Sequence, residues 1–181
     1  FQKGWLAATW PDQAGFFGDG KCAMAFMGNW MYGAQASNSA SGEGLADANM
    51  GMFNMPMTSG GMGDSGDTLG GINGWLFSST ASDAAVELMM HYVSLDIQKE
   101  DASNGAYIPI VKGADGSLTN PFLQQVAKNI SNSEYHQIFY DQFLGADIGR
   151  VVNDVSTDLA AGIISAEEAT QAVQEAWEFN Q

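Results

Sequence analysis

The stretch KCAMAFMGNWMY, residues 21–32, decides the fold that the sequence predicts. Six apolar residues, 22–27, run without a polar break and have a glycine on either side of the stretch. A short apolar run bounded in this way predicts a strand that is buried on both faces. Gly28 then permits a sharp turn, Asn29 is a good helix N-cap, and Trp30 follows at the first helical position.

This pattern places Trp30 at the carboxyl end of a buried strand. In an open α/β sheet, ligands bind at that end of the strands. An indole in this position is a candidate platform for a flat apolar ligand face. The alternative is that Trp30 only closes the top of the core, and residue type alone does not separate the two interpretations.

The segments around this stretch predict further strands and helices. Strands are predicted at residues 50–57 (MGMFNMPM) and 70–78 (GGINGWLFS). Helices are predicted at residues 11–17, 30–36, 82–95 and 97–104, and over most of the chain after residue 119. One of these later helices is predicted to open at Ser133 and Glu134, and the best marked opens with the capping box at residues 165–168.

Composition excludes several classes of partner. The 181 residues include 21 acidic and 6 basic side chains, which give a net charge of −15. No basic stripe exists to neutralise phosphates, so nucleic acid and anionic membrane surfaces are disfavoured. Arg150 is the only arginine, which makes bidentate capture of an anion an improbable basis for binding. Cys22 is the only cysteine, so no internal disulfide can form. A neutral ligand is the simplest inference.

Several short motifs carry weak signals. Residues 61–66 match G-x-G-x-x-G, but a loop and a strand are predicted after them rather than a helix, which argues against a dinucleotide site. Residues 63–66 read GDSG, yet His91 and His136 both lie downstream, unlike the order in chymotrypsin-like proteases. Asp64 and Asp67 lack the spacing of an EF-hand. We therefore expect no catalytic residues, no metal site, no cofactor and no enzymatic activity.

The remaining candidate residues are aromatic side chains and amides. Trp30 and Tyr32 follow the first predicted strand, Asn73 and Trp75 lie on the glycine-opened strand, and Tyr107 begins a Tyr-Ile-Pro segment. Sugars present C–H faces that stack on aromatic rings and hydroxyls that pair with amides. This inventory suits a neutral carbohydrate, although each aromatic taken singly is more often a core residue.

The order of these strings resembles the extracellular solute-binding proteins of ABC importers, in the sugar-binding family that includes maltose-binding protein. The resemblance covers nearly the whole chain. It rests on F-x-x-G-K-x-A-M at residues 17–24, GNW at 28–30, MPM at 55–57, GGINGW at 70–75, SDAA at 82–85, YIP at 107–109 and SAEEA at 165–169.

The resemblance implies an α/β fold of the periplasmic-binding-protein type, with two lobes (type II) and the ligand in the cleft between them. Residues 1–57 would then be part of the second lobe, residues 58–106 a crossing segment and helix of the first lobe, and residues 107–181 a helical return to the second lobe. The implied ligand-binding residues are Asn29, Trp30, Tyr32, Gly71, Asn73, Trp75 and Tyr107.

The same resemblance implies a substrate-binding component that delivers a sugar or oligosaccharide to ABC permease subunits. Family members are about twice this length, so we expect the C-terminal half of such a protein. Its partners would include the missing N-terminal half or a second copy, and its location would be periplasmic or extracellular, with or without a lipid anchor. Two alternatives stay open: a fragment of a carbohydrate hydrolase that uses an Asp/Glu pair, and a non-catalytic assembly module.

Overall fold

The computed structural model describes residues 3–71, 73–105 and 107–180. Helices make up 51% of the structure, and the strands found in those residues form one two-stranded parallel sheet. The protein is therefore mainly helical with a small parallel sheet, an arrangement that is compatible with the α/β class.

The elements follow one another along the chain in a simple order. The α-helices of the described part are α1 (Trp10–Gly18), α2 (Met31–Ser37), α3 (Asp83–Tyr92), α4 (Leu95–Ser103), α5 (Pro121–Asn132), α6 (Tyr140–Phe143), α7 (Ala146–Ala161) and α8 (Ala166–Phe179). The strands are β1 (Thr68–Gly70) and β2 (His136–Ile138), and short 3-10 helices lie at Trp5–Ala7, Asp47–Asn49 and Asp115–Ser117.

The chain divides into two compact units, each made of segments that are separate in sequence. The central unit comprises Ala7–Thr68 and Gly74–Tyr135. The C-terminal unit comprises Phe1–Leu6, Leu69–Asn73 and His136–Gln181. The division at residues 57 and 106 that the resemblance implies concerns lobes of a larger protein and stays a prediction.

In the central unit, α1 and α2 pack unusually close because glycines form the contact. A β-carbon on Gly15 would lie 2.5 Å from the backbone oxygen of Asn38, and one on Gly18 would lie 2.0 Å from that of Gln35. The cluster that this contact buries consists of Ala14, Met31 and Ala34, with Phe17, Ala25 and Met27 packed against it. A second cluster joins α4 to α5 through Ala102, Leu118 and Leu123.

The C-terminal unit is organised around α7. Gly149 lets this helix approach the chain at Asp141, whose backbone oxygen would lie 2.1 Å from an added β-carbon. Gly162 then ends α7 in the left-handed conformation, with φ of 71°, which glycine adopts without strain. The chain turns there and enters α8.

The structure confirms most of the predicted helices because their capping signals are local. The Ser82 hydroxyl accepts a hydrogen bond from the Ala85 amide at 3.3 Å, and the Asn120 side chain accepts from the Phe122 and Leu123 amides. At α8, Ser165 and Glu168 form the predicted reciprocal capping box. Each of these caps satisfies amides that the first turn of a helix leaves unpaired.

The predicted strands at residues 22–27 and 50–57 are wrong for this structure. Both segments are non-helical, but neither belongs to a sheet. The predicted strand at 70–78 shrinks to β1, and the described residues that follow it are irregular and exposed. A strand needs a neighbour for its backbone groups, and within the described residues only β1 and β2 supply one to each other.

Two further boundaries differ from the prediction. Helix α2 begins at Met31, so Trp30 rather than Asn29 occupies the N-cap position. The helix predicted from Ser133 is replaced by β2, because Ser133 ends α5 and the next residues pair with β1, where the Thr68 amide donates to the Tyr135 oxygen at 3.0 Å.

The glycine contact between α1 and α2 generates a stability prediction. We expect Gly15→Ala to lower the free energy of unfolding by about 1–3 kcal/mol, because the added methyl overlaps a backbone oxygen that cannot rotate away. Gly33→Ala, on the open side of α2, should raise it by about 0.5–1 kcal/mol. Urea unfolding followed by circular dichroism measures both, and equal stability of the two variants would contradict the packing described.

The capping box of α8 generates a second prediction. Ser165→Ala should cost about 1 kcal/mol at neutral pH, because an amide of the first turn loses its acceptor. Hydrogen bonds from the Ser165 backbone and side chain lower the pKa of Glu168. The stabilisation that these hydrogen bonds give to the ionised Glu168 carboxylate is present above the ordinary carboxyl pKa. It is lost as the pH falls through the lowered pKa of Glu168. The Ser165 backbone amide survives in Ser165→Ala, so Glu168→Gln tests this pH dependence: the stability gap between wild type and Glu168→Gln in thermal melts should narrow under acid, and a constant gap would argue against the box.

Candidate functional site

Trp30 is held by the turn that opens α2. The Met31 amide donates to the Gly28 oxygen at 3.0 Å, and the Ala34 amide donates to the Trp30 oxygen at 3.1 Å. The indole is 48% exposed. It is therefore neither buried in the core nor fully free in solvent, and its backbone position is fixed.

Gly28 provides the seat for this indole. A β-carbon on Gly28 would lie 2.3 Å from Cζ3 and 2.4 Å from Cη2 of Trp30, so the six-membered ring lies directly over the glycine. Any side chain at this position would displace the ring. The glycine that the sequence assigned to a sharp turn has this second role, which only the structure reveals.

Asn29 and Tyr32 flank the indole and differ in how they are engaged. Asn29 is exposed, and within the described residues its side-chain amide makes no hydrogen bond. The Tyr32 hydroxyl donates to Asp47 Oδ1 at 2.9 Å, and its ring centroid lies 5.4 Å from that of Phe122. Burial, followed by the hydrogen bond to Asp47, raises the pKa of Tyr32. Asn29 can thus meet a ligand directly, whereas the Tyr32 proton is already committed.

A cavity of about 130 Å³ lies beside this turn in the central unit. Asn29 and Tyr32 are the polar side chains among the described residues that line it. The rest of the lining is apolar and rich in methionine, and it includes Phe17, Met27, Met31, Met50, Met52 and Phe122. The cavity therefore suits an apolar group, and a polar ligand would have to lie at its edge near Asn29.

The other predicted residues of the central unit lie elsewhere. Tyr107 is half-buried, and its hydroxyl donates to the Asp101 carboxylate while accepting from Gln98 Nε2 at 2.7 Å. Burial, followed by the hydrogen bonds with Asp101 and Tyr92, raises the pKa of Tyr107 far above its usual value. Trp75 is 70% exposed on an irregular segment. Neither residue is among those that line the cavity, and Trp30 is not among them either, although the residues on both sides of it are.

Gly71 and Asn73 belong to the C-terminal unit. Gly71 follows β1 and lies close to Phe139, whose ring would be 3.3 Å from an added β-carbon. Asn73 is exposed. The residue between them, Ile72, belongs to the predicted strand and lies outside the described residues.

A second concavity, of about 270 Å³, lies in the C-terminal unit near the start of α7 and the end of α8. Its lining includes Asp147, Trp177 and Asn180. The Trp177 side chain is 43% exposed. Trp177 follows the helical spacing of apolar residues 169, 172, 173 and 176, which favours a core role, so sequence reasoning does not find this combination of an indole with polar groups.

The loop motifs form self-contained turns. The Asp64 amide donates to Asp67 Oδ2 at 2.7 Å, and the Gly66 amide donates to Asp64 Oδ1 at 2.8 Å. The G-x-G-x-x-G string leads into β1 rather than a helix, unlike a dinucleotide-binding loop. Over the described ranges, no group of three or more His, Cys, Asp or Glu side chains is arranged to hold a metal ion.

Comparison with known proteins adds no relative: neither the scan of family models nor the search of curated proteins found a match. Among the helices of the described part, none has the length and apolar character required to cross a membrane.

The seat of Trp30 can be tested by replacing glycine. Gly28→Ala should displace the indole, because the methyl and the ring cannot occupy the same space. Fluorine NMR of protein labelled with 5-fluorotryptophan should show the Trp30 resonance moving, with its assignment fixed by Trp30→Phe. Gly51→Ala is the matched control, since Gly51 lines the same cavity and has nothing within 4 Å of an added β-carbon. A Trp30 resonance that is the same in both variants would contradict this geometry.

Proposed function

We propose that this protein is a substrate-binding component of an ABC importer, and that it binds a neutral sugar or oligosaccharide through Trp30. The observation that carries the proposal is the half-exposed indole, fixed over Gly28 just before α2 and next to the exposed amide of Asn29, which has no hydrogen bond within the described residues. An ordered aromatic face beside a free amide supplies both contacts that a sugar needs.

The two contacts act differently. The indole face removes the apolar C–H surface of a sugar ring from water and supplies stacking beyond its area, worth about 0.5–1.5 kcal/mol. The Asn29 amide offers donors and an acceptor to hydroxyls at the ring edge, which fix orientation. The rigid turn means that little conformational entropy is lost when the ring is covered.

Charge supports a neutral ligand rather than an anion. The chain carries a net charge of −15, and its only arginine, Arg150, pairs with Asp154 at 3.3 Å in the C-terminal unit. No cationic side chain is among the described residues that line the cavity beside Trp30. A carboxylate or phosphate would therefore be repelled without a compensating partner.

The remaining parts of the proposal follow from the resemblance alone. They are a two-lobed fold of the periplasmic-binding-protein type, closure of the lobes around the sugar, delivery to permease subunits, and a periplasmic or extracellular location. Gly71, Asn73, Trp75 and Tyr107 are further proposed contacts in that closed form.

Titration calorimetry of the full chain against a panel of neutral mono- and oligosaccharides tests the proposal. We expect at least one sugar to bind, and Trp30→Ala to weaken its affinity by about tenfold or more, because a stacking face is lost. Trp10→Ala is the matched control, since Trp10 is also 48% exposed but belongs to α1 rather than to the turn at Gly28; it should leave the affinity unchanged.

Two results would overturn the proposal. One is the absence of heat with every sugar while the protein remains folded by circular dichroism. The other is loss of sugar binding in Trp177→Ala but not in Trp30→Ala, which would assign the ligand to the concavity of the C-terminal unit instead.

A further inference from the structure

Two segments that border the cavity of the central unit leave their backbone unpaired. In residues 24–27, no amide or carbonyl takes part in a backbone hydrogen bond within the described chain, and the Phe26 oxygen is approached only by Gln13 Nε2 at 3.5 Å. In residues 50–57, the only backbone hydrogen bond within the described chain is the one that the Met50 amide donates to the Asp47 oxygen. Backbone groups in this state are a template for strand addition.

The exposure of the first segment alternates as in a strand with one covered face. Ala25 and Met27 pack against the cluster between α1 and α2. Met24 and Phe26, at the intervening positions, are each 74% exposed. Their side chains are apolar, so this outward face resembles a strand surface that lacks its cover.

The first half of the second segment, residues 50–53, follows the same rule. Met50 and Met52 are half-buried and line the cavity, and the Asn54 side chain accepts a hydrogen bond from Asn129 at 2.9 Å. Phe53 and Met55, at the intervening positions, are 68% and 72% exposed. A period of two therefore relates body-facing and outward residues over residues 24–27 and 50–53, whereas residues 54–57 are all exposed.

Both segments line one cavity. Ala25 and Met27 contribute from the first segment and Met50 and Met52 from the second. The apolar floor between them includes Phe122 of α5. We define the docking groove as this cavity together with residues 24–27 and 50–57.

We propose that the docking groove takes up an extended segment of another polypeptide, which adds as a β-strand and places an apolar side chain in the cavity. This inference is independent of the sugar proposal. A helical ligand would not pair with the backbone groups of the groove, because a helix uses its own amides and carbonyls in internal hydrogen bonds. A strand supplies donors, acceptors and a side chain at every second position.

Charge indicates the chemistry of that segment. Residues 24–27 and 50–57 contain no charged side chain, whereas the whole chain carries −15. An apolar segment with basic flanks is therefore attracted, and a second copy of this acidic chain is repelled over longer range. The partner we infer is thus a different polypeptide with alternating apolar residues.

The test uses a synthetic probe, the acetylated and amidated peptide KVTVTVK, and the full chain. Fluorescence anisotropy of the labelled peptide should show saturable binding. Amide hydrogen exchange should slow in both residues 24–27 and 50–57. The control is the same peptide with N-methyl groups on its threonines, which removes backbone donors and keeps every side chain. It should fail to bind.

A matched pair of variants locates the site. Met52→Lys places a charge on the lining of the cavity and should weaken peptide binding by about tenfold or more. Met62→Lys makes the same change at a fully exposed residue outside the groove and should leave binding unchanged. Circular dichroism verifies that both variants keep their helix content.

Three outcomes would overturn the proposal. One is equal binding of the N-methylated peptide, and another is the absence of saturable binding or of protection. The third is concentration-dependent dimerisation of the chain alone, with protection of the same amides, which would make a second copy the occupant. Trp30→Ala should retain peptide binding, so failure of the sugar proposal and failure of this one are distinguishable.

Discussion

A strand cannot satisfy its own backbone, and this constraint shapes the whole molecule. Each helix of the described chain closes its hydrogen bonds within one segment, so caps and apolar stripes are enough to form it. An extended segment depends on a neighbour for the same bonds. Of the segments whose sequence favours strands, only β1 finds a neighbour in the described residues, in β2. Residues 24–27 and 50–53 keep strand-like exposure without a sheet.

The same constraint separates what the sequence predicts from what it does not. The starts of α3, α5 and α8 follow from Ser82, Asn120 and Ser165, because a cap is decided within three residues. Residues 22–27 were predicted as a buried strand because they are apolar, yet Phe26 is largely exposed. Hydrophobicity specifies that a segment favours burial, but the neighbour that buries it lies far away in sequence or in another chain.

The candidate site, like the fold, is predictable from the sequence only in its local features. The sequence singled out Trp30 from its place after an apolar run and a glycine, and the structure has this indole half-exposed beside a cavity. The seat on Gly28 and the cavity residues Met52 and Phe122 were missed, because they depend on contacts between distant segments. Tyr107 is instructive in the opposite sense: its side chain suggests a ligand contact, but its hydroxyl is engaged by Asp101 and Gln98.

Gly28 links the two surfaces of the central unit. It lines the docking groove, and the Trp30 ring lies directly over it. A strand that pairs with residues 24–27 would fix the chain immediately before this glycine, and hence the base on which the indole lies. The proposed added strand and the proposed sugar platform would therefore meet at one residue without a side chain, although each is defined by its own contacts.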